Sequence, residues 1–164
     1  MTLTEALAFL EAHQPMPDDA ELSQDLIEQY DEVRKFFLQN PDERCIGPLL
    51  ASFGDGDGFG VYQLVEDVLK QFDKSKVVPH LKQGLHSSIC GVRYWNAEIA
   101  ANFPSGDLVA DLSALLRDPD QDIRAAAVIA LGQIKTEASN NVLRNALAAE
   151  ANVHVRALVQ KYVT

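Results

Sequence analysis

The sequence predicts an all-α fold of stacked helix pairs, and three observations carry that reading. Leucines recur 31 residues apart at Leu50, Leu81, Leu112 and Leu143. Two further series run beside them: Leu85, Leu116 and Leu147, then Val61, Val92, Ile123 and Val155, whose last step is 32 residues. Alternating β-branched runs bounded by turn residues are almost absent, so strand signals are weak. A fixed period of this length marks supersecondary units that bury their apolar faces only against one another.

Taken in order, the first 40 residues stand outside the period. A helix over 3–14 is opened by Thr2 with Glu5 three residues on, the spacing of a capping box. Pro15 and Pro17 end it, and a longer helix over 20–38 follows. From residue 42 each period reads as two helices. The first helices fall at 42–53, 75–86, 107–116 and 138–149, and the second at 59–72, 91–103, 121–134 and 153–163. Within 107–134, Leu108, Val109, Leu112, Leu115 and Leu116 form one helical stripe. Ile123, Ala126, Ala127, Ala130, Leu131 and Ile134 form its partner, an alanine-rich seam that lets two helices approach closely. Asn40-Pro41, Ser105-Gly106 and Thr136-Glu137 punctuate the series. Residues 1–164 read as one domain, with 1–40 an irregular acidic cap and 42–164 the repeats.

Composition bounds the function classes. Hydrophobic residues make up 47% of the chain, which is ordinary for a globular protein. Apolar stretches are too short for a membrane span, and the N-terminus lacks the basic start of a secretory signal. Cys45 and Cys90 are too few for a disulfide framework and read as small buried residues of a cytoplasmic protein. The net charge is −10, and all of it lies in the first third. Residues 1–58 hold 13 acids against Arg34, Lys35 and Arg44, whereas residues 59–164 hold 11 of each sign. Such a surface either solubilises one end or speeds encounter with a basic partner. Nucleic acid is disfavoured, because phosphate binding needs a basic face.

Residues 118–134 read Asp-Pro-Asp-Gln-Asp-Ile-Arg-Ala-Ala-Ala-Val-Ile-Ala-Leu-Gly-Gln-Ile. This closely resembles the second half of a HEAT repeat, of the short bacterial type also found in phycobilisome-lyase-like proteins. The resemblance covers residues 42–164. It implies a right-handed α-solenoid of about four HEAT-like helix pairs, here preceded by two N-terminal capping helices. In that family an Asp at the inter-helix turn and an Arg six residues later form a ladder between neighbouring repeats. Asp118 and Arg124 match this spacing, Glu150 with Arg156 is a near match, and Arg93 stands six residues after Ser87 in place of an acid. At Gly56 and Tyr62 both members are missing. These positions read as structural rather than catalytic.

The resemblance also implies macromolecule binding along a concave face lined by the second helices. Its enzymatic branches fit poorly. The iron-dependent hydroxylases use His-Glu pairs, and none of His13, His80, His86 or His154 is followed by Glu. The DNA-glycosylase relatives place aromatic and acidic residues in a basic groove; Tyr94 and Trp95 are present here, but the surrounding charge is of the wrong sign. Bilin lyases share only the repeat type.

Few residues suggest chemistry directly. The loop Gly54-Asp55-Gly56-Asp57-Gly58-Phe59-Gly60, with Glu66 downstream, carries part of an EF-hand pattern, but Phe59 occupies a ligand position. A flexible inter-helix turn is the better reading, and no metal or cofactor is expected. No nucleophile–base spacing is legible.

The second-helix faces say more. With Ile123, Ala127, Ala130 and Leu131 inward, Val128 and Ile129 point outward. The matching positions are Glu66 and Asp67 in one unit and Ala97 and Glu98 in the next, with Tyr94 nearby. An apolar centre beside charge is the anatomy of a protein-binding hot spot, unless the register is shifted and Val128 or Ile129 is core. The expected function is a non-catalytic interaction module for a basic protein partner, such as an adaptor, a regulator or a toxin-neutralising immunity protein. The alternative is a bilin-lyase-like chaperone or lyase, or a HEAT-like DNA-repair enzyme. Neither nucleic acid nor membrane is an expected partner.

Overall fold

The computed structural model describes residues 1–163, and every regular element among them is helical. The α-helices are α1 (Leu3–Ala12), α2 (Gln24–Gln39), α3 (Ile46–Ala51), α4 (Val65–Leu69), α5 (Lys74–Leu85), α6 (Cys90–Ala100), α7 (Val109–Leu115), α8 (Gln121–Ile134), α9 (Glu137–Ala149) and α10 (Val153–Val163). Single 3-10 turns lead into α3, α4 and α7. Among the described residues, no helix is long and apolar enough to cross a membrane. The chain divides into two compact units, Met1–Trp95 and Asn96–Thr164, with the boundary inside α6.

In the first unit, α1 opens on the expected capping box. Thr2 Oγ1 accepts from the Glu5 amide at 3.3 Å, and the Glu5 carboxylate accepts from the Thr2 amide at 2.7 Å. The second helix begins at Gln24 rather than near residue 20. Ser23 is its N-cap, accepting from the Leu26 amide at 3.2 Å, while Asp18 and Asp19 are engaged by a distant loop. Helix α1 packs on α2 and α3, α2 packs on α4, and α3 packs on α5. The aperiodic first helices thus stack as a pair on the periodic ones, first helix on first and second on second. Where they meet, Tyr30, Phe53, Tyr62 and Trp95 form an aromatic cluster with ring centroids 5.3–6.0 Å apart.

In the second unit, α8 is enclosed by α7, α9 and α10, and α9 packs along α10. Ile123, Ala127, Val128, Ala130 and Leu131 of α8 are all fully buried. The sequence pattern predicted α8 and α10 at the ranges observed. The four ladder leucines, Leu50, Leu81, Leu112 and Leu143, are each at most 1% exposed, which establishes the register. Leu116, Leu147 and Val61 are only partly buried and sit at the margin of the apolar layers.

The largest departure lies in the first periodic pair, whose second helix was expected over 59–72. Regular helix occupies only 65–69, after a 3-10 turn. Gly56, Gly58, Phe59 and Gly60 all have positive φ (115°, 58°, 52° and 84°), which no right-handed helix accommodates.

Candidate functional site

The expected contact residues separate by burial. Glu66 is half-buried and pairs with Lys70 at 2.6 Å one turn on, while Asp67 is exposed. Tyr94 is partly exposed and stands edge-on to Trp95 with centroids 5.3 Å apart. Glu98, four residues along the same helix, is also partly exposed. Ile129 keeps some exposure, but Val128 is fully buried and does not belong to an outward apolar patch. The cause is the enclosure of α8 on three sides, which leaves it one narrow open edge. Gly132 is buried as well, with the Tyr162 ring filling the space a Cβ would need.

The ladder arginines share one geometry. Arg93 Nη1 donates to the Ser87 carbonyl at 3.0 Å, Arg124 Nη1 to the Asp118 carbonyl at 2.9 Å, and Arg156 Nε to the Glu150 carbonyl at 3.0 Å. Each guanidinium caps main-chain oxygens just beyond the end of a first helix, where carbonyls lack helical partners. This bond needs no acid at position 87, so Ser87 serves as well as Asp118. Arg124 adds a two-point contact to Glu150, with Nε–Oε2 at 2.9 Å and Nη2–Oε1 at 3.2 Å. Hydrogen bonding from Arg124 holds the Glu150 carboxyl below its ordinary value, and the bond to Glu150 raises the guanidinium's own. Tyr62, at the equivalent position of the first periodic pair, is core instead, and burial pushes its phenol up to about 12.

The glycine loop is an ordered clasp rather than a flexible turn. Asp19 takes main-chain N–H bonds from Asp57 and Gly58, both at 3.0 Å, and Asp18 takes one from Asp55 at 3.0 Å. The Asp19 amide returns a bond to the Asp55 carbonyl at 2.9 Å. The loop therefore presents N–H donors to a carboxylate, the reverse of what a cation site requires. Its glycines are needed: the Asp19 carboxylate fills the space a Cβ would take at Gly56, whose φ is 115°. Trp95 Nε1 fastens the loop from the other side, donating to the Gly56 carbonyl at 2.9 Å. Trp95 is thus a buried structural residue. The Cys45 thiol is likewise buried, and burial pushes it up to about 12, which removes thiolate reactivity.

Beside the clasp lies a groove of about 1140 Å³ along α1 and α2, closed at one side by Phe59 and Val61. Phe9 contributes apolar lining, with Ile27 and Val33 almost wholly buried behind it. Glu5, Asp25, Glu28, Asp31 and Glu32 line it against Lys35. Asp31 is largely neutralised by Arg34 at 2.7 Å and Lys35 at 2.8 Å, and Glu32 also meets Lys35 at 3.0 Å. The uncompensated charge therefore lies toward the start of α2, at Asp25 and Glu28. Phe59 is 51% exposed at the rim. Sequence reasoning anticipated the acids but not Phe59, which entered only as a residue unable to bind a cation.

A family profile described as HEAT repeats matches residues 78–162, more than half of the chain. Among solved structures, the crystal structure of the S. pombe condensin Cnd3–Cnd2 subcomplex resembles 97% of this chain with a TM-score of 0.59 and 18% identity. The chain spans only 23% of that neighbour, and at this identity the likeness is one of fold. A comparison with curated protein sequences finds no match.

Proposed function

The chain belongs to the HEAT-repeat family, and from that premise we propose that it is a non-catalytic interaction module whose acidic first unit engages a basic protein. One observation carries this reading: an acid-lined groove with an apolar floor and a half-exposed aromatic at its rim. Apolar anchors supply the lifetime of a complex, and surrounding charge of one sign supplies encounter rate and choice of partner. Asp67 and Tyr94 in the first unit, with Glu66 beside them, are further contact positions under this reading, as are Glu98 and Ile129 in the second. An adaptor, a regulator and a neutraliser of a basic toxin would all use this chemistry in a cytoplasmic setting. The nucleic-acid alternative has no such support, since its phosphates would meet uncompensated carboxylates.

The test is to isolate the chain from its native cells at low salt, identify the bound protein, and measure association between the purified pair. The reading expects a partner of net positive charge and an association rate that falls as salt rises. An acidic partner, or nucleic acid carried through purification in stoichiometric amount, would overturn it.

A further inference from the structure

We propose that the groove formed by α1, α2 and the rim residues Phe59 and Val61 is a docking site for a basic amphipathic protein segment, one of whose apolar side chains packs on Phe59. The inference rests on the basic-partner reading above and adds a place and an occupant to it. Three independent features meet here. Asp25, Glu28 and Glu32 are all exposed and fall at i, i+3 and i+7 on α2, so they form one stripe along the groove wall. The floor beneath that stripe is apolar at Phe9, which is partly exposed, with Ile27 and Val33 almost wholly buried behind it.

The third feature is Phe59. It holds a φ of 52°, a left-handed conformation unfavourable for a bulky L-residue, while its side chain remains 51% exposed. Burial within the unit covers only about half of the residue. The loop carrying the ring is fixed by Asp18, Asp19 and Trp95, so the ring is presented by a firm support. A rigid aromatic beside an apolar floor and an acidic stripe complements a segment with lysine or arginine on one side and leucine-like residues on the other. The cations in the same region, Arg34 and Lys35, face Asp31 and Glu32 and leave the end of the groove near Asp25 and Glu28 negative. An anionic lipid surface is repelled by the same stripe.

The experiment uses the full chain, isotope-labelled for NMR, and three synthetic peptides of about four helical turns each. One is amphipathic Lys/Leu, one Lys/Ser of equal charge, and one Glu/Leu of equal apolar pattern. The proposal expects Lys/Leu to bind with amide shifts on α1, α2 and residues 58–61, and the other two to bind at least about tenfold more weakly. Phe59→Asn keeps a residue tolerant of the left-handed region, so it preserves the loop; an unchanged melting temperature verifies that. It should weaken Lys/Leu by about tenfold and leave Lys/Ser unaffected. The double variant Asp25→Asn, Glu28→Gln should weaken both basic peptides and flatten their salt dependence.

Equal affinity for Lys/Leu and Lys/Ser, shifts confined to other surfaces, or indifference to Phe59→Asn would each overturn the proposed site. The two readings fail separately. A basic native partner whose shifts map elsewhere refutes this site alone, whereas tight Glu/Leu binding refutes the basic-partner reading as well.

Discussion

Arg124 joins two inter-helix turns with one guanidinium: it donates to the Asp118 carbonyl at 2.9 Å and grips the Glu150 carboxylate at 2.9 and 3.2 Å. The side chains are only 17% and 9% exposed, so solvent screens the pair less than a surface ion pair. Arg124→Lys keeps the charge but loses the planar fork, and should lose most of the contact.

The same pair makes stability depend on pH. Hydrogen bonds from Arg124 depress the Glu150 carboxyl below its reference value of 4.5. Its contribution is therefore complete above that reference and disappears as pH falls through the lower folded value. Glu150→Gln should cost about 1–2 kcal/mol at neutral pH, with the difference from wild type closing in acid. Urea denaturation on both sides of the reference value checks this. An equal deficit at both pH values would mean that packing, not charge, accounts for the loss.

Leu112 is fully buried, and Leu143 of the same series is buried in the same unit. Leu112→Ala should destabilise by about 2–5 kcal/mol, because the surroundings cannot collapse fully into the cavity. A loss below about 1 kcal/mol in chemical denaturation would place Leu112 at the surface.

At Gly91 the Gly54 carbonyl stands where a side-chain Cβ would be. Helix propensity alone favours Ala over Gly by about 1 kcal/mol. Here the sign should reverse, because main chain rather than a flexible side chain blocks the site. Gly91→Ala should destabilise by about 1–3 kcal/mol. A rise in melting temperature would show that the clasp does not pack against α6.

Asp19→Ala removes the acceptor for the Asp57 and Gly58 amides. The expected cost is about 1–3 kcal/mol, the penalty for donors deprived of a charged partner. Trp95 is the sole tryptophan and bonds the same loop, so its emission should shift to the red as the loop loosens. Unchanged emission with unchanged stability would contradict the clasp.

What was legible in the sequence follows from what periodicity reports. A 31-residue recurrence of large apolar residues identifies stacked helix pairs and their register, since each buried position must repeat with the unit. It does not report how many neighbours enclose a helix, which is why Val128 was expected outward and is buried among α7, α9 and α10. Nor does it detect pairing outside the period. Asp19 and Gly58 lie 39 residues apart with no pattern linking them, so the loop read as a flexible turn. Helices α1 and α2 looked like an irregular cap for the same reason, although they stack as a pair. The acidity of residues 1–58 was visible from composition, but Phe59 joins it only once α1, α2 and the loop are brought together.

The central claim is that the acidic first unit steers a basic protein, and the salt dependence of association tests it most directly. With the co-purifying partner in hand, association and dissociation rates would be measured across ionic strength for wild type and for Asp25→Lys, Glu28→Lys. Those two positions are preferable to Asp31, whose replacement would strand the buried Arg34. The account predicts slower association, a flattened salt dependence and a smaller change in dissociation, because charge acts mainly on encounter. Association rates and salt slopes equal to those of wild type, with the fold intact, would contradict it.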